Sequence, residues 1–140
     1  MTDEELKASI KSEEGLKLDV YRDSIGNLTV GYGHLVRCGS KITQEAADSL
    51  FEQDFKKAVT GYDMLNLKLD PVRRAAVIDM IFNMGIGNVQ QFKRMMVHLK
   101  DKSWAQAAYE LMDSEYAKQV PARAKRNRDR ILKGTDHVGY

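Results

Sequence analysis

The spacing of apolar positions changes period along the chain, and each change predicts an element. Thr2 and Glu5 stand three apart, the spacing of a capping box, and Leu6 and Ile10 follow on one helical face. This predicts a first helix over about residues 2–14, with Gly15 as its stop. Leu16, Leu18 and Val20 then alternate with polar residues, and turn signals gather from Ser24 to Asn27. Leu28, Val30 and Tyr32 alternate with Thr29, Gly31 and Gly33, which completes a predicted β-hairpin. Its second strand has one apolar face and one nearly bare face, and a bare face lets a bulky polymer approach the backbone.

From Thr43 the period is helical. Thr43 is placed to cap a helix carrying Ala47, Leu50, Phe51, Phe55, Ala58 and Val59 on one face. Asp70-Pro71 combines a capping carboxylate with proline at the first helical position. The run behind it, Val72, Ala75 to Ile78, Met80 to Phe82 and Met84, is apolar almost all round, as in a central buried helix, and Gly85 and Gly87 are read as its end. Phe92, Met95, Met96 and Leu99 mark a further helix. Ser103 and Gln106 have capping-box spacing before Trp104, Ala107, Ala108 and Leu111, with Trp104 read as core. Pro121 opens the last main helix and Gly134 closes it.

The predicted fold is α+β, mostly α, in one domain over 1–140: the first helix, a small N-terminal β-hairpin lobe over about 15–42, and a helical lobe of five or so helices over about 43–140. A cleft between two lobes is a common place for a polymer to bind.

Composition narrows the function classes. The chain has 140 residues, 43% hydrophobic and 30% charged, which suits a packed domain rather than a disordered chain. A net charge of +2 is too small to argue for nucleic acid or a membrane surface. From Pro121 to Lys133, however, Arg123, Lys125, Arg126, Arg128, Arg130 and Lys133 face a single acid, Asp129. That stretch reads either as a solvated helix face or as an attractor of polyanions. The single cysteine, Cys38, excludes an internal disulfide and a cysteine-rich metal site. His34, His98 and His137 are far apart and no Cys/Asp cluster attends them, so neither a metal nor a cofactor is expected. The acidic start Met1 to Glu5 leads into no apolar run, and no stretch reaches the length of a membrane span. A protein made and kept in a cytoplasm until something releases it is the expectation.

Candidate chemistry lies where the first helix meets the hairpin. Glycoside hydrolysis commonly uses two carboxyl groups, one kept protonated as acid and one ionised to direct water or attack the sugar. Glu13 and Glu14 close the helix, and helical geometry does not choose between them. Asp19 and Asp23 lie on the hairpin, with Asp23 at the turn.

Glu14-Gly15-Leu16, Tyr21-Arg22-Asp23 and Leu28-Thr29-Val30-Gly31-Tyr32-Gly33-His34-Leu35 closely resemble the lysozymes of T-even bacteriophages. That family's pattern is a Glu, eight residues, an Asp, five residues and a Thr, which Glu14, Asp23 and Thr29 match, and the Gly-x-Gly-His run adds specificity. The likeness extends through Leu69 to Arg74, Phe82 to Gly85, Trp104 to Ala108 and Pro121 to Arg126. It implies an endolysin, a muramidase cutting the β-1,4 bond between N-acetylmuramic acid and N-acetylglucosamine in peptidoglycan. It implies Glu14 as general acid, Asp23 as its ionised partner, and Thr29 helping Asp23 hold the attacking water in an inverting reaction. It further implies glycan contacts from Leu35 and Phe82, an Arg123 pairing with the acid, and an ion pair between His34 and Asp54. Such a pair raises the His34 pKa, so its stabilisation is present at low pH and fades as pH rises through the folded-state value. By the same resemblance the protein acts as a monomer without a cofactor, inserts in no membrane, binds no nucleic acid, and reaches periplasmic peptidoglycan when a holin opens the membrane.

The chain departs from the family in places. Only eight residues separate His34 from Thr43, so the second half of the β lobe is trimmed, and the segment before Leu69 is short. Met95 and Glu110 stand at two positions where the family contacts polar groups of the glycan. Two other functions remain to be weighed: a lytic transglycosylase, which needs no water and leaves an anhydro product, and a non-catalytic module that binds glycan or nucleic acid.

Overall fold

A computed structural model describes residues 1–22, 28–32, 34–35 and 42–137, of which 17–22, 28–29, 34–35 and 136–137 are described by backbone alone. Helix α1 (Asp3–Glu14) starts with both halves of the predicted capping box: the Glu5 amide donates to the Thr2 hydroxyl at 3.1 Å and the Thr2 amide to the Glu5 carboxylate at 3.2 Å. Leu6 and Ile10 are its buried face, and Gly15 caps its end with φ +67°. Strands β1 (Lys17–Arg22), β2 (Leu28–Gly31) and β3 (His34–Leu35) form an antiparallel sheet in chain order. Arg22 pairs with Leu28 and Tyr21 with Thr29, while Thr29 also faces Leu35 and Val30 faces His34. The expected turn from Ser24 to Asn27 lies outside the described residues.

The rest of the described chain is helical: α2 (Gln44–Met64), α3 (Pro71–Met84), α4 (Ile86–Gln90), α5 (Lys93–Lys100), α6 (Trp104–Met112), α7 (Glu115–Gln119) and α8 (Pro121–Lys133), ending in a 3-10 turn (Gly134–His137). The molecule is therefore mostly α with one small sheet. Helix α3 is central, as its all-round apolar surface requires, and packs against α1, α2, α4 and α8. Ala76, Val77, Ile78 and Met80 are wholly enclosed. The sheet rests on α2, where Phe51 meets Tyr32 edge-on with ring centroids 5.7 Å apart.

Three readings of the sequence need correction. Gly87 does not help to end α3; Gly85, with φ +86°, breaks the helix alone, and Gly87 lies inside α4. Ser103 makes no side-chain cap. Lys102 before it has φ +58° and the Ser103 amide turns back to the His98 carbonyl at 2.8 Å, which leaves Ser103 at ψ 74° rather than in the extended form that caps at Thr2 and Thr43. The bare face of β2 is not open to a polymer at Gly31. A Cβ there would lie 3.1 Å from Ile42 and 3.2 Å from Ala47, so that glycine lets the strand close on the start of α2. Val30, on the other face, is buried as well.

The start of α3 is locked to the end of α8. Asp70 caps α3 by accepting from the Arg73 amide at 3.2 Å, and it also accepts from the Arg73 guanidinium at 3.0 Å and the Thr135 amide at 3.1 Å. Arg73 in turn donates to the carbonyls of Ile131 at 2.7 Å and Leu132 at 3.3 Å, and its guanidinium lies 3.8 Å from the ring centre of the half-buried Trp104. Partial burial alone raises the Asp70 pKa, but the hydrogen bonds and charge of Arg73 outweigh it and hold the carboxyl below its ordinary value.

Two outcomes follow. Gly31→Ala should cost about 2–4 kcal/mol, from the left-handed backbone and the crowding at Ala47 together, read as a lower urea midpoint at unchanged slope. The Asp70 carboxyl is lowered by folding, so its stabilisation is complete above the unfolded value of 3.8 and disappears as pH falls through the lower folded value. The stability gap between the wild type and Asp70→Asn should thus be widest near neutral pH and close below about pH 4. A gap that stayed constant down to pH 2 would contradict this.

Candidate active site

Glu14 is the last residue of α1, and its side chain is only 11% exposed. The turn to β1 at Gly15 leaves it facing α8, where Arg123 donates from Nη1 to Glu14 Oε1 at 2.8 Å. Glu13 points to a different partner, Arg126, with which it forms an ion pair. The two acids that sequence alone left equivalent are thus distinguished by what they touch.

Arg123 does not serve Glu14 alone. The other edge of its guanidinium makes a two-pronged pair with Asp79 of α3, Nε to Oδ2 at 2.9 Å and Nη2 to Oδ1 at 2.9 Å. The Asp79 side chain is 1% exposed and that of Arg123 is 6% exposed. Asn127, one turn along α8 from Arg123, donates to Asp79 Oδ2 at 2.7 Å and to the Tyr116 hydroxyl at 3.0 Å. Arg130 then donates to Asn127 Oδ1 at 3.0 Å and to Ser9 of α1 at 2.9 Å. A connected network beneath Glu14 therefore ties α1, α3, α7 and α8 together.

The electrostatics follow from this arrangement. Burial alone disfavours the charge on Arg123, but Asp79, and after it Glu14, hold its pKa above the usual value. Burial, with the Asp79 charge nearby, raises the Tyr116 phenol well above its ordinary range, so it is neutral and keeps its proton. Every buried polar side-chain atom among the described residues has a hydrogen-bond partner.

The other positions named from the sequence are distributed as follows. Asp23 lies outside the described residues, immediately after Arg22, the last paired residue of β1. Thr29 is in the middle strand, opposite both Tyr21 and Leu35, and its side chain lies outside the described set, as do those of His34 and Leu35. Asp54 is half-buried on α2. Phe82 is half-buried against the core, its ring 5.3 Å from that of Phe51. Among the described residues no group of His, Cys, Asp or Glu is placed to hold a metal ion.

Asp79, Asn127 and Tyr116 were not singled out from the sequence. The cue for Asp79 was an acid in the middle of a helix that is apolar almost all round. A groove of about 630 Å³ opens on the helical side, and its lining includes Asn83, Met95, Glu110 and Tyr116. Through the Tyr116 hydroxyl its wall is joined by hydrogen bonds to Asn127, Asp79, Arg123 and Glu14.

A model of the family described as phage lysozyme matches residues 11–130. The chain is 33% identical over 152 aligned positions to a Dictyostelium discoideum protein named probable T4-type lysozyme 2, covering 86% of this chain and 89% of that protein. A second protein of that organism, named probable T4-type lysozyme 1, is 31% identical over 161 positions, covering 93% of this chain and 95% of its own length. The pre-baseplate central spike protein Gp5 of Enterobacteria phage T4 is 30% identical over 156 positions, covering 89% of this chain but 27% of that longer protein.

The network gives one stability prediction. Arg123→Gln leaves Asp79 buried without its counter-ion, which should cost about 3–5 kcal/mol in urea unfolding. A loss under about 1 kcal/mol, the scale of an exposed pair, would show that the cluster is not sealed from water.

Proposed function

The chain belongs to the phage lysozyme family and is a lysozyme, an enzyme that hydrolyses peptidoglycan, and from that premise we propose that Glu14 is its general acid. The bond cut is the β-1,4 link between N-acetylmuramic acid and N-acetylglucosamine. One observation carries the assignment: Glu14 is the carboxyl that ends α1 nearly out of water and in contact with a buried cation. The carboxyl end of a helix disfavours negative charge, which helps such a group retain its proton until a sugar oxygen takes it.

Asp23 is the ionised partner and, with Thr29, holds the attacking water. In an inverting reaction the water enters from the opposite face of the sugar, which calls for a carboxyl separation of roughly 6.5–9.5 Å. The central place of Thr29 in the sheet, bridging Tyr21 and Leu35, supports a fixed position for it. Leu35 and Phe82 line the path of the glycan, and the His34–Asp54 pair holds the sheet to α2. The groove beside Tyr116 takes the part of the polymer that reaches the helical face.

In this reading residues 1–140 act as one monomeric domain that needs neither a cofactor nor nucleic acid. No described helix is long and apolar enough to cross a membrane. The protein serves as an endolysin, held in the host cytoplasm until a holin opens the way to periplasmic peptidoglycan. The basic residues of α8 assist by attracting anionic wall polymers.

Glu14→Gln tests the assignment, because it keeps the shape of the side chain and removes the proton it donates. Turbidity clearing of chloroform-treated Gram-negative cells should fall at least about a hundredfold, with helix content and wall binding retained. Clearing at the wild-type rate would refute the role of Glu14.

A further inference from the structure

The acid assigned above faces a physical difficulty. A guanidinium at 2.8 Å stabilises an ionised carboxylate, yet a general acid must hold its proton. The structure places a second carboxylate on the same guanidinium. We propose that Asp79 is a positioning residue for the lysozyme reaction: its carboxylate neutralises Arg123, so that Glu14 meets a cation already paired and keeps its proton.

Asp79 accepts three N–H groups, two from Arg123 and one from Asn127, through two oxygens. Both of its oxygens are thus engaged by N–H donors, an acceptor-only pattern that suits a carboxylate facing a guanidinium. Asp79 also holds the Nε–Nη2 edge of the guanidinium in a two-pronged pair, while Arg123 gives Glu14 one bond, from Nη1. With Glu14 protonated the buried trio of Asp79, Arg123 and Glu14 is neutral. Ionising Glu14 leaves it with net negative charge at the carboxyl end of α1, where the helix also opposes it.

Several charged groups nearby among the described residues are directed to partners of their own. On α1, Glu13 is paired with Arg126, and Lys11 faces Asp48 at 3.8 Å. On α8, Arg130 is directed to Asn127 and Ser9. On α7, Tyr116 is neutral. Asp79 thus acts through Arg123: it fixes the guanidinium plane that orients Glu14 and absorbs most of its charge.

The inference depends on Glu14 being the acid, so the experiment reads Glu14 directly as well as activity. The carbon-13 titration of the Glu14 carboxyl and the pH profile of peptidoglycan hydrolysis are measured for the wild type, for Asp79→Asn, and for the doubly neutral Asp79→Asn/Arg123→Gln. In Asp79→Asn the Glu14 midpoint and the alkaline limb of activity should both move down by about one pH unit or more. Activity above that limb should then fall about tenfold, and a merely structural role would not move the midpoint. An unmoved midpoint in folded Asp79→Asn overturns the proposal. If that variant does not fold, the doubly neutral protein decides, since it leaves no buried charge unpaired. A midpoint within about one pH unit of the wild type supports the proposal, and a larger upward displacement means the Arg123 charge reached Glu14 undiminished and overturns it. A midpoint that moves while the activity limb stays put upholds Asp79 and rejects Glu14 as the acid.

Discussion

The structure is organised around one buried cation. Arg123 comes from α8, near the end of the described chain, and meets carboxylates from α1 and α3 at 2.8 and 2.9 Å. Removing a guanidinium from water is costly, and only well-aimed partners offset it. That requirement fixes how the three helices stand to one another. Helix α8 must present Arg123 and Asn127 on one face one turn apart, α3 must present its only acid at that level, and α1 must end there. Apolar packing alone tolerates rotation and sliding of helices, whereas a planar ion with five donors does not.

Much of the architecture was legible in the sequence because it depends on local rules. The capping box at Thr2 and Glu5, the Asp70-Pro71 start, the Thr43 cap and the openings and closings at Pro121 and Gly134 all follow from backbone groups that need a partner within a few residues. The elements that were missed are those that tertiary contacts decide. Helices α4 and α7 have five residues each, too few to show a period, and β3 has two. The Ser103 cap failed because the preceding corner had already set its backbone. Gly31 looked like an opening for substrate because a missing side chain reads as empty space, and only the fold shows that α2 fills it.

The site divides in the same way. The resemblance supplied the proposed acid, its hairpin partner and the threonine, and it brought Arg123 to Glu14, where the structure also places it. Pattern did not disclose the layer below. Asp79 interrupts an apolar run, Asn127 sits in a stretch rich in arginines, and Tyr116 belongs to a helix of five residues. Each is ordinary alone. Their meaning comes from meeting at one guanidinium, a relation among four elements that no single window of sequence contains.

Arg123 and Glu14 are 109 positions apart, and this separation has a consequence for how the enzyme comes into being. A growing polypeptide exposes Glu14 with the first helix, long before Asp79 and Arg123 have been translated. Until α8 emerges and docks, Glu14 lacks the buried guanidinium that holds it in the folded protein. If Glu14 is the acid proposed above, hydrolytic competence arrives only with the late closure of the helical bundle.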